Sequence, residues 1–141
     1  MNAPRPFTQP WADAIRDAIN ASDAYRAVAG TWTWSVALVL DATPAFGYAD
    51  PAAVLFELDR GTCTAVRVLP VDAALAPFVL RASYGVWKKV VLGLTDPVMA
   101  IALRQVHLHG SLTTLMLHAA AAKALVACAR AVPTHFPDED D

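Results

Sequence analysis

The side chains best suited to chemistry are few and scattered along the 141 residues. His107 and His109 are two apart, a spacing that places both imidazoles on one face of a strand, where they could bind a metal ion. A third ligand would have to come from elsewhere, since His118 belongs to the helix that follows. A solvated sheet face explains the pair better, because Val106 and Leu108 occupy the inner face. The sequence therefore predicts no metal site.

Two cysteines and two acidic residues also have simple structural explanations. Cys63 and Cys128 lack the C-x-x-C spacing of metal and redox sites, so we expect two reduced, buried thiols. Glu57 and Asp59 could pair as catalytic carboxylates, but strand alternation puts them opposite Phe56 and beside a turn. We therefore expect Glu57 and Asp59 to be surface charges.

Lys88 and Lys89 are the one adjacent pair of basic residues, and they could bind a lipid head group or a coenzyme A phosphate. A solvated helix face is the simpler explanation. The sequence has no G-x-S-x-G, P-loop or dinucleotide-binding motif, so we expect neither enzymatic activity nor a cofactor. An enzymatic alternative would have to rely on Ser83, Tyr84 or His118, the polar residues nearest to the apolar segments.

The composition is unusually apolar. Hydrophobic residues make up 56% of the chain and charged residues 17%, against roughly 45–50% and about 25% in ordinary domains. This surplus must form a thick core, an apolar cavity, a partner surface or a membrane segment. The most apolar stretch, 112–132, contains two threonines, a histidine, a lysine and an arginine, so no membrane insertion is expected.

The termini and the charges indicate where the protein is located and which partners are not expected. Residues 1–10 contain three prolines and no apolar run, which argues against a signal peptide and predicts a cytoplasmic protein. The net charge is −2, and the basic residues form no stripe with interleaved aromatics, so nucleic acid is not an expected partner. We expect an extended segment at 1–10, a single domain at 11–132 and an acidic tail at 133–141, mobile unless Phe136 anchors it.

Hydrophobic periodicity predicts the order helix, four strands, two helices, strand and long helix. The first helix has an apolar stripe containing Trp11, Ile15 and Tyr25, and Gly30 ends it. The predicted strands span 31–41, 53–59, 63–69, 78–82 and 105–109, with helices at 84–94, from Asp96-Pro97 onward, and at 112–132. Gly61 supplies the positive φ of a hairpin turn.

The strands alternate between large apolar residues and small or polar ones. In the first strand Trp34, Val36 and Leu38 fall on one face, and the opposite face is expected to be wet or lightly covered. Consecutive strands favour an antiparallel meander. The predicted fold class is α+β, with a five-stranded, mainly antiparallel sheet that helices cover on one face.

This pattern resembles the sterol carrier protein 2 family. The residues that carry the resemblance cover the chain from about Trp11 to Val132: Trp87, Val90 and Gly93 in W-x-x-V-x-x-G; Asp96, Pro97 and Ala100 in D-P-x-x-A; the strand Val106, Leu108 and Gly110; the turn glycine Gly61; and the aromatic Trp32. The chain departs from the family pattern at Leu103-Arg104, where many members have glycine-lysine, and at Ser111, where many have an acid.

The resemblance implies an apolar tunnel between sheet and helices, without metal, cofactor or intrinsic catalysis. The candidate wall residues are large apolar side chains: Trp34, Val36, Phe56, Phe78, Leu80, Trp87, Val91, Met99, Leu103, Leu108, Leu112, Leu115 and Met116. Periodicity shows which face is buried but does not distinguish a tunnel from a filled core.

The implied function is binding and transfer, or presentation, of a fatty acid, an acyl-CoA or a sterol-like lipid, with a lipid-metabolising enzyme as a candidate partner. Two alternatives stay open. One is a small enzyme or accessory subunit that acts on hydrophobic acyl-CoA or steroid substrates. The other is an interaction subunit that presents its apolar face to a partner enzyme.

Overall fold

The structure is a computed structural model and describes residues 3–140. Its helices are α1 (Gln9–Asn20), α2 (Asp23–Val28), α3 (Tyr84–Val91), α4 (Pro97–Ala102), α5 (Leu112–Leu117) and α6 (Ala119–Arg130). Its strands are β1 (Val36–Leu40), β2 (Ala52–Asp59), β3 (Thr62–Leu69), β4 (Phe78–Ala82) and β5 (His107–His109).

The five strands form one sheet in the order β3-β2-β1-β4-β5. Three of the pairings are antiparallel, and β1 pairs with β4 in parallel. The predicted α+β class with a mainly antiparallel five-stranded sheet is confirmed. The meander extends only over β1–β3, because β4 crosses to the free edge of β1 instead of pairing with β3.

The hairpin between β2 and β3 forms where the sequence predicts it. Arg60 and Gly61 have φ values of 51° and 90°, the two successive positive values of the turn that matches the twist of paired strands. A Cβ on Gly61 would lie 3.1 Å from the Cα of Arg26, so helix α2 approaches closely because residue 61 has no side chain.

Two predicted helices are each broken by one polar residue. The Ser22 side chain accepts a hydrogen bond from the amide of Tyr25 (3.0 Å) and caps α2, which separates it from α1. His118 Nδ1 hydrogen-bonds to the carbonyl oxygen of Thr114 (2.8 Å), and the chain bends there between α5 and α6. Side-chain bonds of this kind compete with the helical backbone pattern.

The first strand is shorter than predicted. β1 begins at Val36, and just before it the indole N–H of Trp32 donates to the carbonyl oxygen of Trp34 (2.8 Å). Trp32 and Trp34 therefore precede the sheet and pack against each other edge to face, with ring centroids 4.9 Å apart.

The sheet has two differently built faces. The front face, which the helices cover, carries the larger side chains Val36, Leu38, Val54, Phe56, Phe78 and Leu80. The back face carries Ala37, Val39, Ala53, Leu55 and Val79, and the connection at 71–76 covers it through Val71, Ala74 and Ala76. The back face, which was expected to be wet or lightly covered, is covered at its centre by this short connection, and Ala37 and Ala53 are 0% exposed.

The C-terminal segment packs onto the domain. Phe136 is buried, and the amide of His135 donates to the carbonyl oxygen of Pro4 (2.8 Å). A short 3-10 helix, Pro137–Glu139, ends the described chain. Met1, Asn2 and Asp141, the outermost residues of the predicted 1–10 and 133–141 segments, lie outside the described residues.

Candidate functional site

An apolar, partly enclosed cavity lies between the front face and the helices. Its volume is about 100 Å³, counted as the space open to the centres of water-sized spheres. All six helices contribute to the wall, and β1, β2 and β4 supply its floor. The cavity exists because wide side chains on both layers hold the helices away from the sheet, whereas most protein interiors leave few voids larger than a water molecule.

Three indole rings in the wall turn carbon toward the cavity. Trp87 donates its N–H to the carbonyl oxygen of Val39 (2.8 Å), and Trp11 donates to Thr134 Oγ1 (3.2 Å). Trp32, the third ring, donates its N–H to the carbonyl oxygen of Trp34 (2.8 Å). Because buried N–H groups need partners, these bonds let aromatic side chains line the cavity without leaving an unpaired donor facing it.

Two side chains in the wall can titrate, Tyr25 and His118. Burial raises the pKa of Tyr25 to about 12, so its hydroxyl stays neutral at physiological pH. Both nitrogens of His118 have partners, since Nδ1 contacts the Thr114 carbonyl and Nε2 lies 3.2 Å from Thr31 Oγ1. Within the described chain, neither side chain is hydrogen-bonded to a carboxylate that would make a catalytic pair.

Seven of the predicted wall residues line the cavity: Val36, Phe56, Phe78, Leu80, Trp87, Val91 and Leu115. Trp34 and Leu108 instead pack, partly buried, against the surrounding core. The cavity therefore collects the front-face strand residues and the inward side of α3, which strand and helix periodicity had grouped together.

Four predicted wall residues lie on the outer surface. Met99 and Leu103 are 54% and 61% exposed, and Leu112 and Met116 are 49% and 52% exposed. In α4 the small Ala100 is fully buried and Ile101 lines the cavity, whereas Met99 points outward. A six-residue helix has too few turns for periodicity to identify its inner side, and the placement of these four residues is corrected accordingly.

The prediction omitted the contribution of the first two helices. Trp11, Ile15 and Tyr25 line the cavity, as do Ala121 and Ala122 of α6. The apolar stripe of α1 was visible in the sequence, but it indicated only that the helix docks. The alanines were not counted among the wall residues, because small side chains border a void as readily as they fill tight contacts.

One end of the cavity is closed by Phe7, Trp87 and Val91. The same three side chains line a second, smaller void of about 10 Å³, which Lys88 and Phe136 help to enclose on the other side. Phe7 stacks on Trp11 with ring centroids 5.3 Å apart, and only this layer of side chains separates the two voids.

A polar cluster lies beyond the small void. The Tyr84 hydroxyl donates to Asp138 Oδ1 (2.5 Å), and Lys88 Nζ lies 2.8 Å from Asp138 Oδ2 and 2.9 Å from Glu139 Oε2. The Lys88 side chain is only 19% exposed, which differs from the solvated face expected of it. Hydrogen bonds from Lys88 and Tyr84 lower the pKa of Asp138, and burial together with the bond to Asp138 raises the pKa of Tyr84.

The remaining chemical candidates do not form a reactive site among the described residues. His107 and His109 are exposed, and no group of three or more His, Cys, Asp or Glu within 3–140 could hold a metal ion. Cys63 and Cys128 are buried free thiols, and burial raises the pKa of both. Ser83 caps α3 by accepting from the amide of Val86 (3.4 Å).

Glu57 pairs with Arg67 and Asp59 with Arg60, at 3.5 and 3.9 Å, and all four side chains are at least 40% exposed. These are the surface charges that the alternation predicted. None of the helices in the described part of the chain is long and apolar enough to cross a membrane.

Two solved structures match nearly the whole chain. A crystal structure of sterol carrier protein 2 superposes with a TM-score of 0.87 and 34% identity, covering 91% of this chain and 99% of that one. A solution structure from Thermus thermophilus, of a conserved hypothetical protein suggested to be a sterol carrier protein, gives 0.87 and 32%, covering 96% and 94%.

A more distant structure shares the fold alone. The apo form of sterol carrier protein 2 from Yarrowia lipolytica matches with a TM-score of 0.55 and 15% identity, over 84% of this chain and 88% of that one. No protein-family model matches the sequence, and none of the curated proteins does.

Proposed function

Because the chain belongs to the sterol carrier protein 2 family, we propose that it binds the hydrophobic part of a lipid in its cavity and carries or presents that lipid without altering it. The observation that carries the proposal is the cavity itself, which lies between the front face and the helices. A filled core at this position would have removed the physical basis for a carrier.

The size of the cavity favours a linear chain. One water-sized sphere occupies roughly 10–15 Å³, so a cavity with about 100 Å³ open to the centres of such spheres admits on the order of ten small groups. A fatty acid or fatty acyl chain of about ten carbons would fit in this volume. A sterol is larger and would require the helices to move outward.

The expected affinity is modest. Each buried methylene contributes about 0.8 kcal/mol, so a ten-carbon chain gains on the order of 8 kcal/mol. Association and ordering cost about 4 kcal/mol or more. The full gain of about 8 kcal/mol would correspond to a Kd of about 1 µM, so this value is the upper limit of affinity, and a cost of about 4 kcal/mol brings the Kd to about 1 mM. Weak, exchangeable binding suits a protein that transfers or presents its ligand, and an enzyme that uses the lipid is the natural recipient.

The geometry of the cavity favours binding over catalysis. Of the three residues that an enzymatic alternative would need, only His118 lines the cavity, and both of its nitrogens are hydrogen-bonded. Tyr84 and Ser83 form a tail contact and a helix cap instead. A cytoplasmic location is part of the same proposal and would be checked by cell fractionation.

The test is a ligand survey. Displacement of a fluorescent fatty acid should be strongest near ten carbons, and native mass spectrometry of gently purified protein should show a bound lipid. We expect decanoate to compete better than a sterol. If fatty acids, acyl-CoAs and sterols all fail to displace the probe, and no lipid co-purifies, the carrier proposal is wrong.

A further inference from the structure

Helix α3 contributes to both the cavity and the polar cluster beyond it. Trp87 and Val91 line the cavity, and Tyr84 and Lys88 precede them by three residues each along the helix. Residues three and four apart on a helix are neighbours on its surface. An apolar wall and a hydroxyl–ammonium pair therefore lie side by side on one rigid element.

Tyr84 and Lys88 are arranged to hold a carboxylate. The hydroxyl donates to one oxygen of Asp138 at 2.5 Å, and the ammonium lies 2.8 Å from the other. A carboxylate accepts on both oxygens, and bonds to an ionised partner are the stronger kind. Tyr84 is 6% exposed and the Lys88 side chain 19%, so water competes little for either donor.

The occupant of this pair is the chain's own C-terminal segment. Phe136 is 6% exposed and helps to enclose the small void, and Lys88 Nζ lies 5.1 Å from the centre of its ring. The segment therefore places an apolar group against the end of the cavity and a carboxylate on the two donors. A fatty acid would present the same two groups in the same order.

We propose that Tyr84 and Lys88 form a carboxylate-binding site for the head group of a fatty acid whose chain fills the cavity, and that Asp138 occupies this site in the present structure as an internal competitor. This inference rests on the proposed function and names its ligand class, a linear amphipath with a carboxylate head. Binding then requires Asp138, Glu139 and Phe136 to leave their present contacts.

The layer between the two voids is suited to such a change. Phe7, which lines both voids, has a φ of 60°, a conformation that is rare for a bulky residue and costs about 1–3 kcal/mol. A backbone change at Phe7 would relieve this strain and move its ring out of the layer that separates the two voids. The chain of the ligand could then pass from the cavity toward Lys88.

The experiment compares decanoate with 1-decanol, which has the same chain length but no charge. Replacing the competing carboxylates, Asp138→Asn with Glu139→Gln, should tighten decanoate roughly two- to fivefold, the range of exposed ion pairs, and leave decanol unchanged. Adding Lys88→Met should abolish that gain. Lys89→Met is the matched control, because Lys89 is exposed and belongs to none of the ion pairs in the described chain, and it should change neither ligand.

Hydrogen exchange of the C-terminal segment is a second, direct measurement. Hydrogen exchange at 134–140 should accelerate when decanoate binds and should be unaffected by decanol. If Lys88→Met weakens both ligands equally, or if the segment stays protected with decanoate bound, the carboxylate site is refuted while the cavity proposal stands. If neither ligand binds the wild-type protein, both proposals fail together.

Discussion

The two faces of the sheet belong to the same strands, but the front face borders a cavity and the back face is covered by a connecting segment. On the front face, large side chains meet helices and leave a void of about 100 Å³. On the back face, Ala37, Val39 and Ala53 are covered by a short connection and are 0–2% exposed. Within residues 3–140, neither of the two voids is lined by a back-face residue.

The difference shows that side-chain size sets the kind of space a layer leaves. Small side chains such as Ala37 and Ala53 let a connecting segment pack closely on the back face, where both are 0% exposed. Trp87 and Phe56, by contrast, hold the helices and the sheet far enough apart to leave the cavity between them. The front face therefore leaves space between the sheet and the helices, whereas the back face of the same strands is covered by the connection at 71–76.

Replacing one alanine by leucine on the cavity side and one on the back face is the strongest test of this contrast. Ala121→Leu adds three carbons to the wall of the cavity, where Ala121 is 5% exposed. It should displace about three methylenes of ligand, weakening decanoate by about 2.4 kcal/mol, or roughly 50-fold. The preferred fatty acid should become about three carbons shorter in a displacement series. An unchanged affinity and chain-length preference would show that the ligand does not use this void.

On the back face the same change should damage folding instead. Ala37 is 0% exposed and packs among Ala53, Leu55 and Ala74, so Ala37→Leu overpacks a closed layer and should cost about 1–3 kcal/mol of stability. Urea denaturation measures the loss, and decanoate affinity of the folded protein should be unchanged. Equal stability losses from Ala37→Leu and Ala121→Leu would contradict the contrast between the faces.

A glycine between β5 and α5 tests how strictly the front face is positioned. Gly110 has a φ of 144°, and a Cβ there would lie 2.6 Å from the carbonyl oxygen of Pro77 and 3.0 Å from Phe78 Cδ1. Gly110→Ala should cost about 1–3 kcal/mol and shift Phe78, which lines the cavity. Thermal unfolding should show a lower Tm together with weaker decanoate binding.

The control for this substitution is Gly85→Ala on α3. Beyond its chain neighbours and its own helix backbone, no atom of residues 3–140 lies within 4 Å of the position that a Cβ on Gly85 would take. Alanine should therefore stabilise the helix by about 0.5–1 kcal/mol. If both alanine variants behave alike, the close approach of Gly110 to β4 does not constrain the fold.

The features of the strands that depend on neighbouring residues were predictable from the sequence. Asp59 to Thr62 marked the β2–β3 hairpin, and alternation assigned Val36, Phe56 and Phe78 to one face. The parallel pairing of β1 with β4 was not predictable in the same way, because periodicity specifies which face is buried but not which strand is the neighbour. Whether the back face would be wet or covered was left open for a related reason, since small residues suit a wet surface and a tight contact equally well.

The candidate site was likewise predictable where a local pattern determines the position of a residue, and not elsewhere. Trp87 and Val91 were identified because α3 is long enough to show its inner side. Met99 and Leu103 were misplaced because α4 has six residues and turns its small Ala100 inward. The contact of Lys88 with the tail joins residues about fifty positions apart, and no local pattern carries that information.

The C-terminal segment at 134–140, which packs beside the cavity, and the connection at 71–76, which covers the back face, should respond differently to acid. The pKa of Asp138 is lowered from its ordinary value of 3.8 by the hydrogen bonds from Lys88 and Tyr84. A depressed pKa means that the contact stabilises the folded state above the unfolded value and is lost as the pH falls through the folded one. Hydrogen exchange at 134–140 should therefore accelerate as the pH is lowered below about 4, after correction for the intrinsic rate. Exchange at 71–76 on the back face should not change in this step, and Asp138→Asn should remove the step at 134–140. If the step persists in that variant, a different group holds the segment against the end of the cavity.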